Sequence, residues 1–131
     1  MRPVSWVWVA ATTSMLAALM VLAPAQPGLA HASMVKSTPT NGANLSKAPL
    51  EIRAWFSEKL AVKGSVIRLE DSHMKVLASG GVDTKVKTLD VMAVKAPMLS
   101  AGTYTVTWLA VSDDDGATEK GSFKFTVGTP Q

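Results

Sequence analysis

The body of this chain is predicted to be all-β: a small Greek-key β-barrel or sandwich of about seven antiparallel strands, preceded by a cleaved signal peptide. Three observations carry that expectation. Residues 103–111 alternate strictly, with Tyr104, Val106, Trp108 and Ala110 on one face and Thr103, Thr105, Thr107 and Leu109 on the other. Gly, Pro, Asn and Asp recur at short intervals as turn chemistry. Beyond the apolar leader no segment holds a helical period of 3.6 residues over helical length.

The strands follow in order. Residues 34–37 form a short candidate, closed by Pro39-Thr40-Asn41-Gly42. Residues 51–56 turn Ile52, Ala54 and Phe56 inward. Residues 65–70, 75–78 and 86–91 are shorter candidates, with Ser79-Gly80-Gly81 read as a turn between the last two. Ser100-Ala101-Gly102 leads into 103–111. Residues 122–127 repeat the alternation, Phe123, Phe125 and Val127 inward against Ser122, Lys124 and Thr126 outward. Asp115-Gly116 between these two strands is a type I′ hairpin signal. Residues 128–131 read as a frayed tail. No internal repeat or linker divides the body, so residues 1–30 are expected to be a signal peptide and 31–131 one domain.

The leader has the three parts of an export signal. Arg2 supplies the positive start, residues 4–23 are almost wholly apolar, and Pro24 and Pro27 break the helix before the small residues Gly28 and Ala30. The apolar run also has the length of a membrane anchor, but the helix breakers and small residues favour cleavage. Cleavage after Ala30 leaves His31 as the first residue; cleavage after Ala32, which also fits the small-x-small pattern, leaves Ser33. The first cut puts a free amine and an imidazole on one residue, a chelating pair for Cu(II).

Composition narrows the function. The chain has 131 residues, with 13 Lys and Arg against 10 Asp and Glu, and no cysteine. Thiolate ligands, thiol chemistry and disulfides are thereby excluded. The charges are balanced and scattered, which argues against a nucleic-acid partner. No Ser lies in a nucleophile-elbow context and no glycine-rich loop precedes a helix, so an enzyme is not expected. An oxidative enzyme built on a terminal histidine would need a second nitrogen donor, and His73 alone is left to supply it.

Few residues offer chemistry. His31 and His73 are the two histidines of the chain. Asp71-Ser72-His73-Met74 reads as a solvated hairpin turn, with His73 and Met74 as soft ligands for Cu(I) in the sharper reading. Met34, Met74, Met92 and Met98 are assigned to core filling. Asp113-Asp114-Asp115-Gly116 gathers three carboxylates, as a plain turn or with a cation offsetting their repulsion; it lacks the alternation of a calcium loop.

Taken together, five ordered stretches resemble the CopC family of periplasmic copper-binding proteins. They are His31-Ala32-Ser33-Met34-Val35-Lys36-Ser37-Thr38-Pro39, Phe56-Ser57-Glu58-Lys59-Leu60, residues 99–108, Val111-Ser112, and residues 121–127. The resemblance implies a Greek-key barrel and a Cu(II) site built from the amine and imidazole of a terminal histidine plus an Asp-x-His pair. His31 matches the terminal histidine, which favours cleavage after Ala30. Counting back from Gly121 makes Asp115 the aspartate with Ala117 in the histidine's place; counting forward from Ser112 makes it Asp114, with Gly116 there instead. Either way the second imidazole is missing, and tight binding is weakened. Ser33 stands where some members carry a further histidine, and the methionine-rich Cu(I) loop of others is absent. The terminal amine, with an ordinary pKa of roughly 7.7–8.0, must lose its proton to coordinate, so affinity should rise with pH through that range. The resemblance further implies an exported monomer that sequesters or delivers copper, with a membrane copper transporter as partner. The alternative is a family member kept as a structural or interaction domain after losing tight copper binding.

Overall fold

The computed structural model describes residues 31–128 together with Pro3. The other residues of 1–30 and residues 129–131 lie outside the described residues, and with them the signal-peptide reading; of the tail, Gly128 is described and its amide donates to the Leu45 carbonyl at 2.7 Å.

Eight strands follow one another without a helix among the described residues: β1 (Met34–Thr38), β2 (Ala43–Leu45), β3 (Glu51–Phe56), β4 (Val66–Glu70), β5 (Val76–Val82), β6 (Val91–Lys95), β7 (Gly102–Val111) and β8 (Thr118–Val127). Their spatial order is β1-β3-β6-β5-β4-β7-β8-β2. β4, β5 and β6 are consecutive neighbours and β3 returns beside β6, which is a Greek key. The sheet bends into two layers that share β5. Ser79 and Gly80 pair with β4, whereas Gly81 and Val82 pair with β6.

Alternation decides the layers' inner faces. Ile52, Ala54 and Phe56 of β3, Tyr104, Val106, Trp108 and Ala110 of β7, and Phe123, Phe125 and Val127 of β8 are all buried, as their period of two predicts. Phe56 meets Trp108 edge to face at 5.1 Å, and Tyr104 stacks on Phe125 at 5.6 Å. Each such large apolar side chain contributes about 1.5–3 kcal/mol on burial. This core holds without disulfides.

Several expectations are corrected. The all-β Greek-key expectation of about seven strands is met by eight, but β2 pairs in parallel with β8, so the fold is not wholly antiparallel. Gly80-Gly81 is not a turn but the point where β5 changes layer. A Cβ on Gly80 would stand 2.0 Å from the carbonyl oxygen of Ala93, so the glycine permits a close strand approach. Residues 86–91 are not a strand. The amides of Val86 and Leu89 donate to the carbonyls of Asp83 and Val86, Leu89 has φ +51°, and β6 begins only at Val91. Met92 fills the core as expected, but Met74 and Met98 are exposed.

Candidate functional site

The segment from His31 to Met34 is fixed at the Phe56 end of the barrel. Met34 pairs with Phe56 across β1 and β3. Ala32 is fully buried, while His31 and Ser33 on either side are exposed. Ser57 holds both flanks: its hydroxyl accepts from the Ser33 amide at 3.0 Å and donates to the His31 carbonyl at 3.4 Å, and its own amide donates to the Ser33 carbonyl at 2.8 Å. An apolar peg with a hydroxyl clamp thus holds the His31 backbone at this end of the barrel, where His31 lines a surface depression.

The segment after Ser57 reaches the acidic hairpin. The Asp113 amide donates to the Lys59 carbonyl at 3.1 Å, and Lys59 Nζ lies 3.0 Å from Asp113 Oδ2. Both of these side chains are about half exposed, so the ion pair itself contributes little. Leu60 bridges to Ser112, and the Ala61 amide donates to Val111. Within this stretch Glu58 Oε1 and Ser112 Oγ are buried with no hydrogen-bond partner. A buried acceptor left unmade costs about 1–3 kcal/mol.

The connection between β7 and β8 runs over six residues, Ser112 to Ala117, rather than a two-residue type I′ turn. The Ser112 amide donates to Ala117, the Gly116 amide donates to Ser112, and of the loop residues Gly116 alone has a positive φ, +71°. Asp115 Oδ1 accepts from the Ala117 amide at 2.9 Å, so this carboxylate turns back on its own loop. Asp114 is exposed.

The predicted ligands are therefore not brought into one cluster. Among the described residues no three His, Asp or Glu side chains form a group able to hold a metal ion. The surface depression beside His31 is lined by Ser33, Thr118, Glu119 and Lys120, and neither Asp114 nor Asp115 reaches it. Glu119 was missed in the sequence. It pairs with Ala110, so it belongs to the inner face of β8 with Gly121, Phe123 and Phe125. At the start of the strand that face opens onto the mouth, where Ser33 Oγ donates to Glu119 Oε2 at 3.1 Å. Counting back in twos from Phe123 is the signal that finds it.

His73 lies at the other end of the barrel. Asp71 Oδ1 accepts from the amides of His73 and Lys75, and Met74 has φ +63°. These bonds, that to the Lys75 amide foremost, hold the Asp71 carboxyl below its ordinary range. This is the solvated turn of the plainer reading.

Comparison with known proteins agrees with the architecture. The family model described as the CopC domain matches residues 34–128. The chain belongs to the CopC family. It is 39% identical over 112 residues to copper resistance protein C of Pseudomonas syringae pv. tomato, covering 78% of this chain and 82% of that one. Against copper resistance protein C of Xanthomonas campestris pv. juglandis it is 35% identical over 127 residues, covering 91% and 94%. The crystal structure of PcoC, a methionine-rich copper resistance protein from Escherichia coli, superposes with a TM-score of 0.63 at 31% identity, over 75% of this chain and 99% of that one. CopC from Methylosinus trichosporium OB3b, at 24% identity and a TM-score of 0.69 over 75% and 94%, shares the fold. The CopC relatives are named for copper resistance rather than for a catalysed reaction.

Proposed function

We propose that this CopC-family chain is an exported, non-enzymatic copper-binding protein that takes Cu(II) at its processed amino terminus. The observation that carries the reading is the pinned His31-Ala32-Ser33 segment, whose backbone is held at the end of the barrel with His31 exposed beside a surface depression. Cleavage after Ala30 would add the amine beside it. Asp115, or Asp114, would supply a carboxylate from the neighbouring hairpin. Cu(II) favours tetragonal nitrogen and oxygen donors, and this set suits it. The names of the relatives support copper as the cargo. The role that follows is sequestration or delivery by a periplasmic monomer, with handover to a membrane copper transporter.

The chain is to be expressed with its leader, its terminus read by mass spectrometry, and Cu(II) titrated with EPR detection. Coupling to two nitrogens should appear and should vanish when a Met is placed before His31. A terminus at Ser33, or a retained leader, would sink the reading. One observation favours the second reading, a domain that has lost tight binding: no three-residue ligand group forms among the described side chains. Binding weaker than the micromolar range would decide for it.

A further inference from the structure

We infer that Glu119 is a ligand of the cupric site, a carboxylate standing in for the absent second imidazole. The inference rests on the amino-terminal Cu(II) reading and adds the residue that completes it. Three observations support it. The β7–β8 register, Ala110 opposite Glu119, puts this side chain on the inner face of β8 at the barrel mouth. The same depression is lined by His31 and Glu119. Ser33 Oγ, two residues from His31, donates to Glu119 Oε2 at 3.1 Å and so fixes the carboxylate beside the chelating residue.

The chemistry is consistent with that placement. An imidazole at position 116 would need a side chain in the left-handed conformation that Gly116 adopts at φ +71°, and Ala117 has no donor atom on its side chain. Glu119 lies two residues beyond Ala117 and is partly buried, whereas Lys120, next along and on the opposite face of β8, is exposed. Amine and imidazole are neutral when they coordinate, so the Glu119 carboxylate would supply the negative charge that the lining of this depression offers the dication. His31 and Glu119 together then offer two nitrogens and one carboxylate.

The test uses the mature chain beginning at His31 and Cu(II) alone. Glu119→Gln should weaken binding roughly tenfold or more, a ligand loss being at least as costly as an outer-shell one, and should alter the EPR parallel hyperfine splitting. Circular dichroism should show the fold unchanged. Glu119→His should restore coupling to a third nitrogen and tighten binding. If Glu119→Gln leaves affinity and spectrum as in the wild type, the inference falls while the terminal chelate stands. The same holds if Glu58→Gln, and not Glu119→Gln, produces the loss. A wild-type spectrum without nitrogen coupling removes the terminal chelate itself, and Glu119 with it.

Discussion

Ser57 is the residue on which the geometry of the His31-Ala32-Ser33 segment turns. It contributes a hydroxyl that accepts from one residue and donates to another, while its amide closes the same contact. Ser57→Ala removes the two side-chain bonds and keeps the amide one. At about 0.5–1.5 kcal/mol net per bond, and with both bonds exposed, the loss should be about 1 kcal/mol in urea denaturation. Copper affinity should fall several-fold at the same time, because the His31 carbonyl is no longer tethered. Unchanged affinity in a variant that has lost stability would show that the clamp serves the barrel and not the site. Tyr104 offers a contrast at the other end: its hydroxyl donates to the Ser100 carbonyl at 2.6 Å. Tyr104→Phe should cost about 1 kcal/mol and leave copper titration untouched.

At the scale of elements, β5 decides the fold by changing layer. Gly80 is approached so closely by Ala93 that a Cβ would sit 2.0 Å from its carbonyl oxygen, whereas at Gly81 the nearest atom, the Ser65 carbonyl oxygen, is 3.4 Å away. Gly80→Ala should therefore force backbone movement and destabilise by about 1–3 kcal/mol or more. Gly81→Ala should be much milder, within about 0.5 kcal/mol of wild type. Equal effects in thermal unfolding would refute the close approach. Gly121 repeats the arrangement on β8, where a Cβ would lie 2.5 Å from the Trp108 ring. There the obstacle is a side chain packed on Phe56, so Gly121→Ala should displace the indole and shift tryptophan fluorescence.

For the whole molecule, one ion network ties β3 to the turn after β5. Arg53 donates to Glu51 at 2.6 Å and to Asp83 at 2.9 Å. The bond from Arg53, then that from the Lys85 amide, holds the Asp83 carboxyl below its ordinary range, while Glu51 first and Asp83 after it raise the Arg53 guanidinium further. A carboxyl lowered by folding adds stability above its unfolded pKa, about 3.9, and loses it as pH falls toward the folded value. Asp71 acts in the same direction. The urea midpoint should thus be level near neutrality and drop below about pH 4. Asp83→Asn should lower the neutral plateau and flatten that acid limb. An acid limb of unchanged steepness in Asp83→Asn would exclude Asp83 as its source.

Which residues face inward on β3, β7 and β8 could be read from local order along the chain, because alternation is a local steric property of an extended chain. The sequence also carried the ordered stretches that resemble CopC. Tertiary structure alone decided the rest. β2, Ala43–Leu45, has three residues, too few for a period to show, and exists because the Gly42 amide reaches the Lys124 carbonyl and lays the chain along β8. Gly80-Gly81 carries the same local signal in a turn as in a close crossing, and Ala93 chooses between them. Glu119 looks like an ordinary charge until the β7–β8 register and the Ser33 hydroxyl place it beside His31. Periodicity is written in neighbours along the chain; pairing, crossing and the gathering of a site depend on residues far apart, which only the folded chain brings together.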